Sequence, residues 1–524
     1  MNFMPVILWS DALVFLLLAA GIYGAWYVRR REYLLLPWRR VGQSATAMVS
    51  LLVLSLFFAV GLLDTLHYRA ALPEKNGNAA VYSPEVLSVF DKLVTPLRTQ
   101  SEKTYSAPLA VTLYAKESIT DAQGRVLRDY PRLRYGGAHL TDVSQRDGDV
   151  LWRGFKGAMG GLVVGLLMVF CGAWFLLPSP ACGRGTEGEG DRSELHRLES
   201  ISGSTSLALT LMKQLAIRLG CQKTAAKSLV ISRLRERGWT YWLATFCRSS
   251  PQRAVIIATL TIAALIGAIA NLASAYHVLG TDKVGQDVLY LSLKSIRTGL
   301  IIGTVTTLVT LPLALLLGIA AGYLRGWVDD VIQYVYTVLS SIPSVLLIAA
   351  AVLMMQVTIE THPHWFDTSA SRADLRLVFL CLILGMTSWT GLCRLLRGET
   401  LKLRELEYIQ AAQSFGVSSL RILTRHIVPN VMHIILISLV MDFSALVLAE
   451  AVLSYVGVGV DPSMISFGTM INAARLEMGR EPMVWWALAA AFGFMLVLVL
   501  AANLFADAVR DAFDPRLNRA EGVA

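Results

Sequence analysis

Charge is what this sequence has least of. Asp, Glu, Lys and Arg make up 16% of its 524 residues, while 55% are hydrophobic and the mean hydropathy is +0.54. A water-soluble chain could not cover that much apolar surface with so few charges, so a soluble globular fold is excluded. Cysteine is sparse too. Cys171, Cys182, Cys221, Cys247, Cys381 and Cys393 have no metal-ligand spacing, and none lies in the polar segment assigned below to the outer side. That excludes a disulfide framework and a zinc site. No Gly-x-x-x-x-Gly-Lys-Ser/Thr occurs; the nearest echo, Gly220-Cys221-Gln222-Lys223-Thr224, lacks the glycine spacing that lets backbone N–H groups cradle phosphates. The chain is therefore expected to be no enzyme, with no catalytic residue, no metal and no cofactor.

What is present is long apolar runs. Rich in Leu, Val, Ala and Ile, they lie near residues 9–28, 45–63, 158–177, 254–275, 300–323, 331–356, 375–395, 431–453 and 484–506. Crossing about 30 Å of hydrocarbon takes roughly 20 apolar residues as helix. Backbone groups in lipid must be satisfied within the segment, and these runs lack the alternation of barrel strands. The fold class is an all-α polytopic membrane protein. The net charge of +9 arises from Arg and Lys beside the runs, where the positive-inside rule accounts for it, so no nucleic-acid partner is expected and membrane lipid is.

Arg29, Arg30, Arg31, Arg39 and Arg40 follow the first run, which places that short loop in the cytoplasm and the N-terminus outside. A signal peptide would carry its basic cluster before the run. Residues 64–156 are polar, with turn signals at Asn76-Gly77, Gln123-Gly124 and Asp147-Gly148 and a strand-like piece at Ala110–Tyr114. They read as a small extracytoplasmic domain, without paired carboxylates, a Cys/His cluster or a nucleophile motif. Residues 1–178 thus form an N-terminal extension of three spans around that domain. A cytoplasmic linker follows at 179–250, opening on the Gly-rich stretch 183–190. Its Arg233, Arg235, Arg237, Trp239, Tyr241 and Trp242 suit either a membrane surface or a solvated helix. Residues 251–524 hold six spans and return the C-terminus to the cytoplasm.

The loop at 401–429 carries the clearest pattern: Glu407-Tyr408-Ile409-Gln410-Ala411-Ala412-Gln413-Ser414-Phe415-Gly416, then Ile427-Val428-Pro429-Asn430. It reads as a helix, a glycine break and a short second helix that Pro429 stops by disfavouring helical geometry at Val428. From its physics alone a generic helix hairpin serves equally well. The loop resembles the "EAA" coupling loop of ABC importer permeases, at Ala411, Ala412, Gly416 and Pro429, with Gln410 in place of Glu and the acidic residue earlier, at Glu407. Three more stretches resemble the oligopeptide/dipeptide permeases, second-permease branch. One is His277-Val278-Leu279-Gly280-Thr281-Asp282-Lys283-Val284-Gly285-Gln286-Asp287, with Gln286 where that family has Arg. Another runs from Glu450 through Gly457 and Gly459 to Ser466-Phe467-Gly468, with Phe467 where Trp is usual. The last is Ala508–Arg516. The resemblance covers about residues 248–518. It implies a type I ABC importer transmembrane domain of six core helices, with about three extra N-terminal helices, in a bacterial inner membrane. It further implies a second homologous permease, ABC ATPase subunits seated on the 401–429 loop, an extracytoplasmic solute-binding protein, and inward movement of peptides or similar solutes.

Two carboxylates lie inside the fifth core span. Asp442 either lines the solute path or is a paired or interface-level carboxylate, and Glu450, near the outer end, reads as a paired or interface-level carboxylate. His362 and His364 have no third ligand nearby. Pro312 and Pro343 are expected to kink their spans. Two readings of other classes stay open: an ion-coupled secondary transporter, which would carry midplane charge pairs and inverted repeats, or a membrane receptor that reads a ligand through the outer domain.

Overall fold

The computed structural model describes residues 3–30, 32–71, 82–120, 126–176, 250–362 and 368–513. The expected linker (save Ser250), His364 and the end of the last motif at Asp514-Pro515-Arg516 lie outside the described residues.

The chain opens with strand β1 (Phe3–Val6) and α1 (Trp9–Arg29), an amphipathic α2 (Glu32–Val41) and α3 (Ala45–Asp64). A polar segment follows, with β2 (His67–Ala70), β3 (Leu87–Ser88), α4 (Val89–Leu93), α5 (Thr95–Thr99) and the hairpin β4 (Glu117–Thr120) and β5 (Val126–Asp129). Strands β1, β2 and β3 form one antiparallel sheet in that order. Then come α6 (Arg146–Leu176), α7 (Ser250–Ala273), α8 (Val288–Leu324), α9 (Trp327–Ser341), α10 (Ser344–Thr361) and α11 (Ser369–Arg404). The chain continues with α12 (Glu407–Ser414), α13 (Ser419–Ile422), α14 (Val428–Val456), α15 (Phe467–Glu477) and α16 (Trp486–Phe513). Among the described residues, nine helical stretches are long and apolar enough to cross a membrane.

The expected span at 331–356 is two helices. Arg325 and Gly326 take positive φ and end α8, and Ile342, just before Pro343, is extended (φ −92°, ψ 131°) as pre-proline sterics favour. Pro343 caps α10 instead of kinking a continuous helix. Only α10 is a span; α9 is a separate amphipathic helix held by a bidentate Arg397–Asp329 pair at 2.6 and 2.8 Å. By contrast α8 runs through Pro312 unbroken. It also begins twelve residues before the expected 300, at Val288, directly after the N-cap Asp287.

Small residues set the closest helix crossings, as they do where lipid removes the hydrophobic drive between helices. Helix α8 lies along α11: a Cβ on Gly318 would come within 2.8 Å of the Cys393 carbonyl, and one on Gly385 within 2.6 Å of Val309 Cβ. Helix α7 packs along α6, where Gly157, Gly161 and Gly165 recur every four residues against Gly267, Ala263 and Leu260. Helix α7 also leans on α3. The extension and the permease core share their hydrophobic clusters. Phe57 packs with Ile296, Val447 and Phe467; Val41 and Ala47 with Val509 and Ala512; Tyr105 with Val288, Leu291 and Trp486.

The Gly161→Leu variant should lose about 1–3 kcal/mol through overpacking, because its Cβ would sit 2.1 Å from the Ala263 carbonyl oxygen. Gly160→Leu, facing open space, should melt like the parent chain in the same detergent scan.

Candidate functional site

At one end of the bundle, Glu405 and Leu406 lead from α11 into α12. Gly416 turns the chain at φ +74°, a conformation side chains with a Cβ resist. Helix α13 then passes through a π-helical turn at Leu423–Ile427 straight into α14, with Val428 helical at φ −54°, ψ −47°. The expected stop at Pro429 is therefore absent. The π turn precedes the proline, and Pro429 sits in the first turn of α14, where a missing N–H costs least.

Ile409, Ile422 and Ile427 are fully buried with Ile319, Tyr323, Leu396 and Val431. Polar contacts fasten the loop to the end of α8. Arg404 Nη1 donates to the Tyr323 carbonyl (2.8 Å), Gln413 Nε2 to Tyr323 Oη (3.3 Å), and Arg325 pairs with Glu405 (2.5 Å). Gln410 Nε2 donates to the Glu405 carbonyl (3.2 Å). Ala412 turns toward the buried cluster, whereas Glu407, Gln410, Ala411 and Gly416 face outward. Beside them Phe415 is 86% and Leu420 72% exposed. The sequence reading missed these two apolar knobs; their signal was a bulky residue flanking the glycine break on a loop of small and polar residues.

At the other end of α8 lies the 277–287 loop. Gly280 and Gly285 take φ +75° and +78°, and a Cβ on Gly285 would meet the Glu102 carbonyl oxygen at 1.8 Å. Thr281 is buried: its N–H donates to the Ser106 carbonyl (3.1 Å), its Oγ1 accepts from the Ser106 N–H (2.7 Å), and its carbonyl accepts from Trp486 Nε1 (3.0 Å). Asp282 Oδ1 accepts from Val284 and Gln286 N–H and closes the turn. Asp287 caps α8, Oδ1 accepting from Leu289 N–H (2.8 Å) and Tyr290 N–H (3.3 Å), while Oδ2 lies 2.7 Å from His277 Nδ1. The other ring nitrogen faces Glu102 Oε1 at 3.5 Å, an ion-pair distance without an aligned hydrogen bond. Glu102 also accepts from the N–H groups of Arg134, Tyr135 and Gly136 at 2.8, 2.7 and 3.1 Å. Burial alone would lower the His277 pKa, but Asp287 and Glu102 reverse it and raise it to about 9. Burial alone would raise Glu102; His277 and the three N–H groups bring it down to about 2.

Helix α8 carries a polar stripe that the sequence reading did not find. Asp287, Tyr290, Lys294 and Arg297 fall three or four residues apart and share one face. Tyr290 Oη donates to Asp91 (2.8 Å) and Lys294 Nζ to both Asp91 oxygens (2.7 Å), with Asp64 at 3.4 Å. Arg297 donates to Asp11 (2.8 Å), whose second oxygen meets His67 Nδ1 (2.7 Å). Asp374 holds Ser10 through its N–H (3.1 Å) and hydroxyl. These groups are all at least three-quarters buried, Lys294 the least so, with 22% of its side chain accessible.

The remaining expected residues lie on α14 and after it. Glu450 is buried and accepts from Ser454 Oγ (2.7 Å) and Ser466 Oγ (2.8 Å). Gly457 ends α14 at φ +87°, Gly459 packs on Ser454, and Phe467 is buried against Val447. Asp442 is half-buried, and no hydrogen bond or ion pair reaches it among the described residues. His362 Nδ1 lies 3.0 Å from the Thr358 carbonyl, and the described residues hold no metal-binding cluster.

The family profile "Binding-protein-dependent transport system inner membrane component" matches residues 314–519, which include the whole 401–429 loop. The oligopeptide transport system permease protein OppC of Mycobacterium tuberculosis (strain ATCC 25618 / H37Rv) is 33% identical over 239 residues, 46% of this chain and 76% of that protein. The chain belongs to this permease family. The glutathione transport system permease protein GsiD of Pectobacterium atrosepticum is 34% identical over 244 residues, 47% of this chain and 74% of its own length. For the dipeptide permease DppC of Bacillus subtilis the values are 28% over 248 residues, 47% and 71%. A methionine ABC transporter structure, MetNI in inward-facing conformations, aligns at 15% identity and a TM-score of 0.32, covering 43% of this chain and 98% of that one. The protein is thus a multi-pass inner-membrane permease of a binding-protein-dependent ABC transport system.

Two predictions follow from the stripe and the motif loop. Replacing Arg297 by Met should cost roughly 3–5 kcal/mol, because Asp11 is left buried without its cation, and the detergent-purified chain should melt earlier. The His277 contribution is fully present below its ordinary pKa of 6.5 and lost as pH rises through about 9, while that of Glu102 is present above 4.5 and lost as pH falls through about 2. Melting temperature should therefore fall between pH 6.5 and 9, and His277→Gln should flatten that fall.

Proposed function

We propose that this permease, paired with a second related permease, forms the path by which peptides or small peptide-like solutes enter the cell. Separate ATPase subunits drive it and an extracytoplasmic binding protein supplies the solute. The relatives' names, oligopeptide, dipeptide and glutathione permeases, support the solute class. The observation that carries the reading is the two-sided 401–429 loop. Three isoleucines fix its inner side to the bundle, while Phe415 and Leu420 stand in the open beside Glu407, Gln410 and Ala411. An exposed apolar pair on a rigid base suits a groove on an ATPase, and a push there is passed to α8 and α11 without slack.

On this reading the loop lies in the cytoplasm, together with the C-terminus, and the N-terminus and the 64–156 domain lie outside. The solute crosses unchanged and the chain does no covalent chemistry. Asp442, a carboxylate in a span with no partner among the described residues, is the residue proposed to meet the solute path.

The test is co-purification of the tagged chain in mild detergent, with uptake of a labelled dipeptide into vesicles. Wild type should bring down an ATPase and a second permease, and uptake should stop on ATP depletion. Phe415→Glu and Gly416→Trp should lose the ATPase and lower uptake by about tenfold or more, the loss expected when a central anchor is removed. A chain that purifies alone and still takes up solute without ATP would overturn the reading in favour of an ion-coupled carrier.

A further inference from the structure

The 64–156 domain is not a free appendage. It is built into the end of α8 opposite the coupling loop. Backbone bonds join Glu102 N–H to the Gly285 carbonyl (2.9 Å), Leu109 N–H to the His277 carbonyl (2.9 Å), and Gly137 N–H to the Ala275 carbonyl (2.8 Å). The buried Glu102–His277–Asp287 row runs from this domain to the N-cap of α8, and Asp91 grips Tyr290 and Lys294 one and two turns further on. At its far end α8 holds the 401–429 loop through Tyr323 and Arg325. A continuous helix of 37 residues, about 55 Å long, thus has the polar domain fastened to one end and the ATPase-docking loop to the other.

The same domain covers the 277–287 loop and presents a hairpin away from the bundle. Strand β5 is exposed along its length; Val126 (69%) and Leu127 (54%) lie open, and Tyr130 (46%), just past its end, is open apart from the Lys116 ammonium 5.4 Å above its ring. Three bulky apolar groups on a two-stranded hairpin are costly to leave in water and suit a protein partner. The family takes its name from dependence on a binding protein. That protein must approach the face this domain covers, so it meets the domain before it meets the core.

We infer that the 64–156 domain is the docking platform for the extracytoplasmic solute-binding protein, with exposed strand β5 and Tyr130 as its contact and the Glu102–His277–Asp287 row as the link that passes docking to α8. This rests on the importer reading given above. The domain would then serve as an input lever fused to the permease.

The test uses the full importer, this chain with its partner permease and ATPase in nanodiscs, titrated with the purified binding protein while ATP hydrolysis is followed. In the double variant Leu127→Glu/Tyr130→Ala the binding-protein concentration for half-maximal stimulation should rise about tenfold, as when an interface anchor is removed. The melting temperature should hold, since both side chains are exposed. Glu102→Gln should leave that concentration near the wild-type value and lower the maximum stimulation several-fold. Wild-type stimulation curves for the hairpin variant would overturn the docking site, and the hairpin would then belong to another surface such as lipid. An unchanged maximum for Glu102→Gln would overturn the link. Failure of the wild-type chain to assemble with any ATPase would instead sink the importer reading itself.

Discussion

The end of this bundle opposite the 401–429 loop depends on neutralising two cations on one face of one helix. Lys294 and Arg297 lie a turn apart on α8, and a buried cation left bare costs several kcal/mol. Three of the four carboxylates around them, Asp11, Asp64 and Asp91, come from the N-terminal extension, and Asp374 comes from α11. Apolar packing of α1 and α3 on the core would tolerate some sliding. The ion pairs do not, because a single register brings Asp91 to Tyr290 and Lys294 while Asp11 reaches Arg297. The N-terminal segments are thereby fastened to α8 in one register.

At the other end of α8 the design is reversed. The 401–429 loop is fixed from within by isoleucines and keeps its apolar and polar groups on the outside, where a partner can use them. Between the two ends, glycines at 318, 322 and 385 let α8 and α11 approach until backbone and Cβ atoms touch.

Hydropathy made the number and placement of most spans legible, because a run of about 20 apolar residues leaves little choice in lipid. The loop was legible through Ala411, Ala412 and Gly416. What escaped was whatever depends on contacts far apart in the chain. Lys294 and Arg297 lie ahead of the apolar run that begins near residue 300, and the partners that let α8 continue through them lie some 200 to 290 residues away. Glu102 gives no signal of its own in the sequence, because its partner, His277, belongs to a different motif 175 residues on. Pro343 and Pro429 behaved unlike each other: one follows an extended residue and divides two helices, the other enters a helix that a π turn had already widened.

The pairing of Asp11 with Arg297 also sets a schedule for assembly. The two residues are 286 positions apart. At roughly 5–20 residues per second of synthesis, the arginine emerges about 15–60 s after the aspartate. Throughout that interval α1 is in or near the membrane with its carboxylate still waiting, so the first helix can settle into final position only once more than half of the chain has been made.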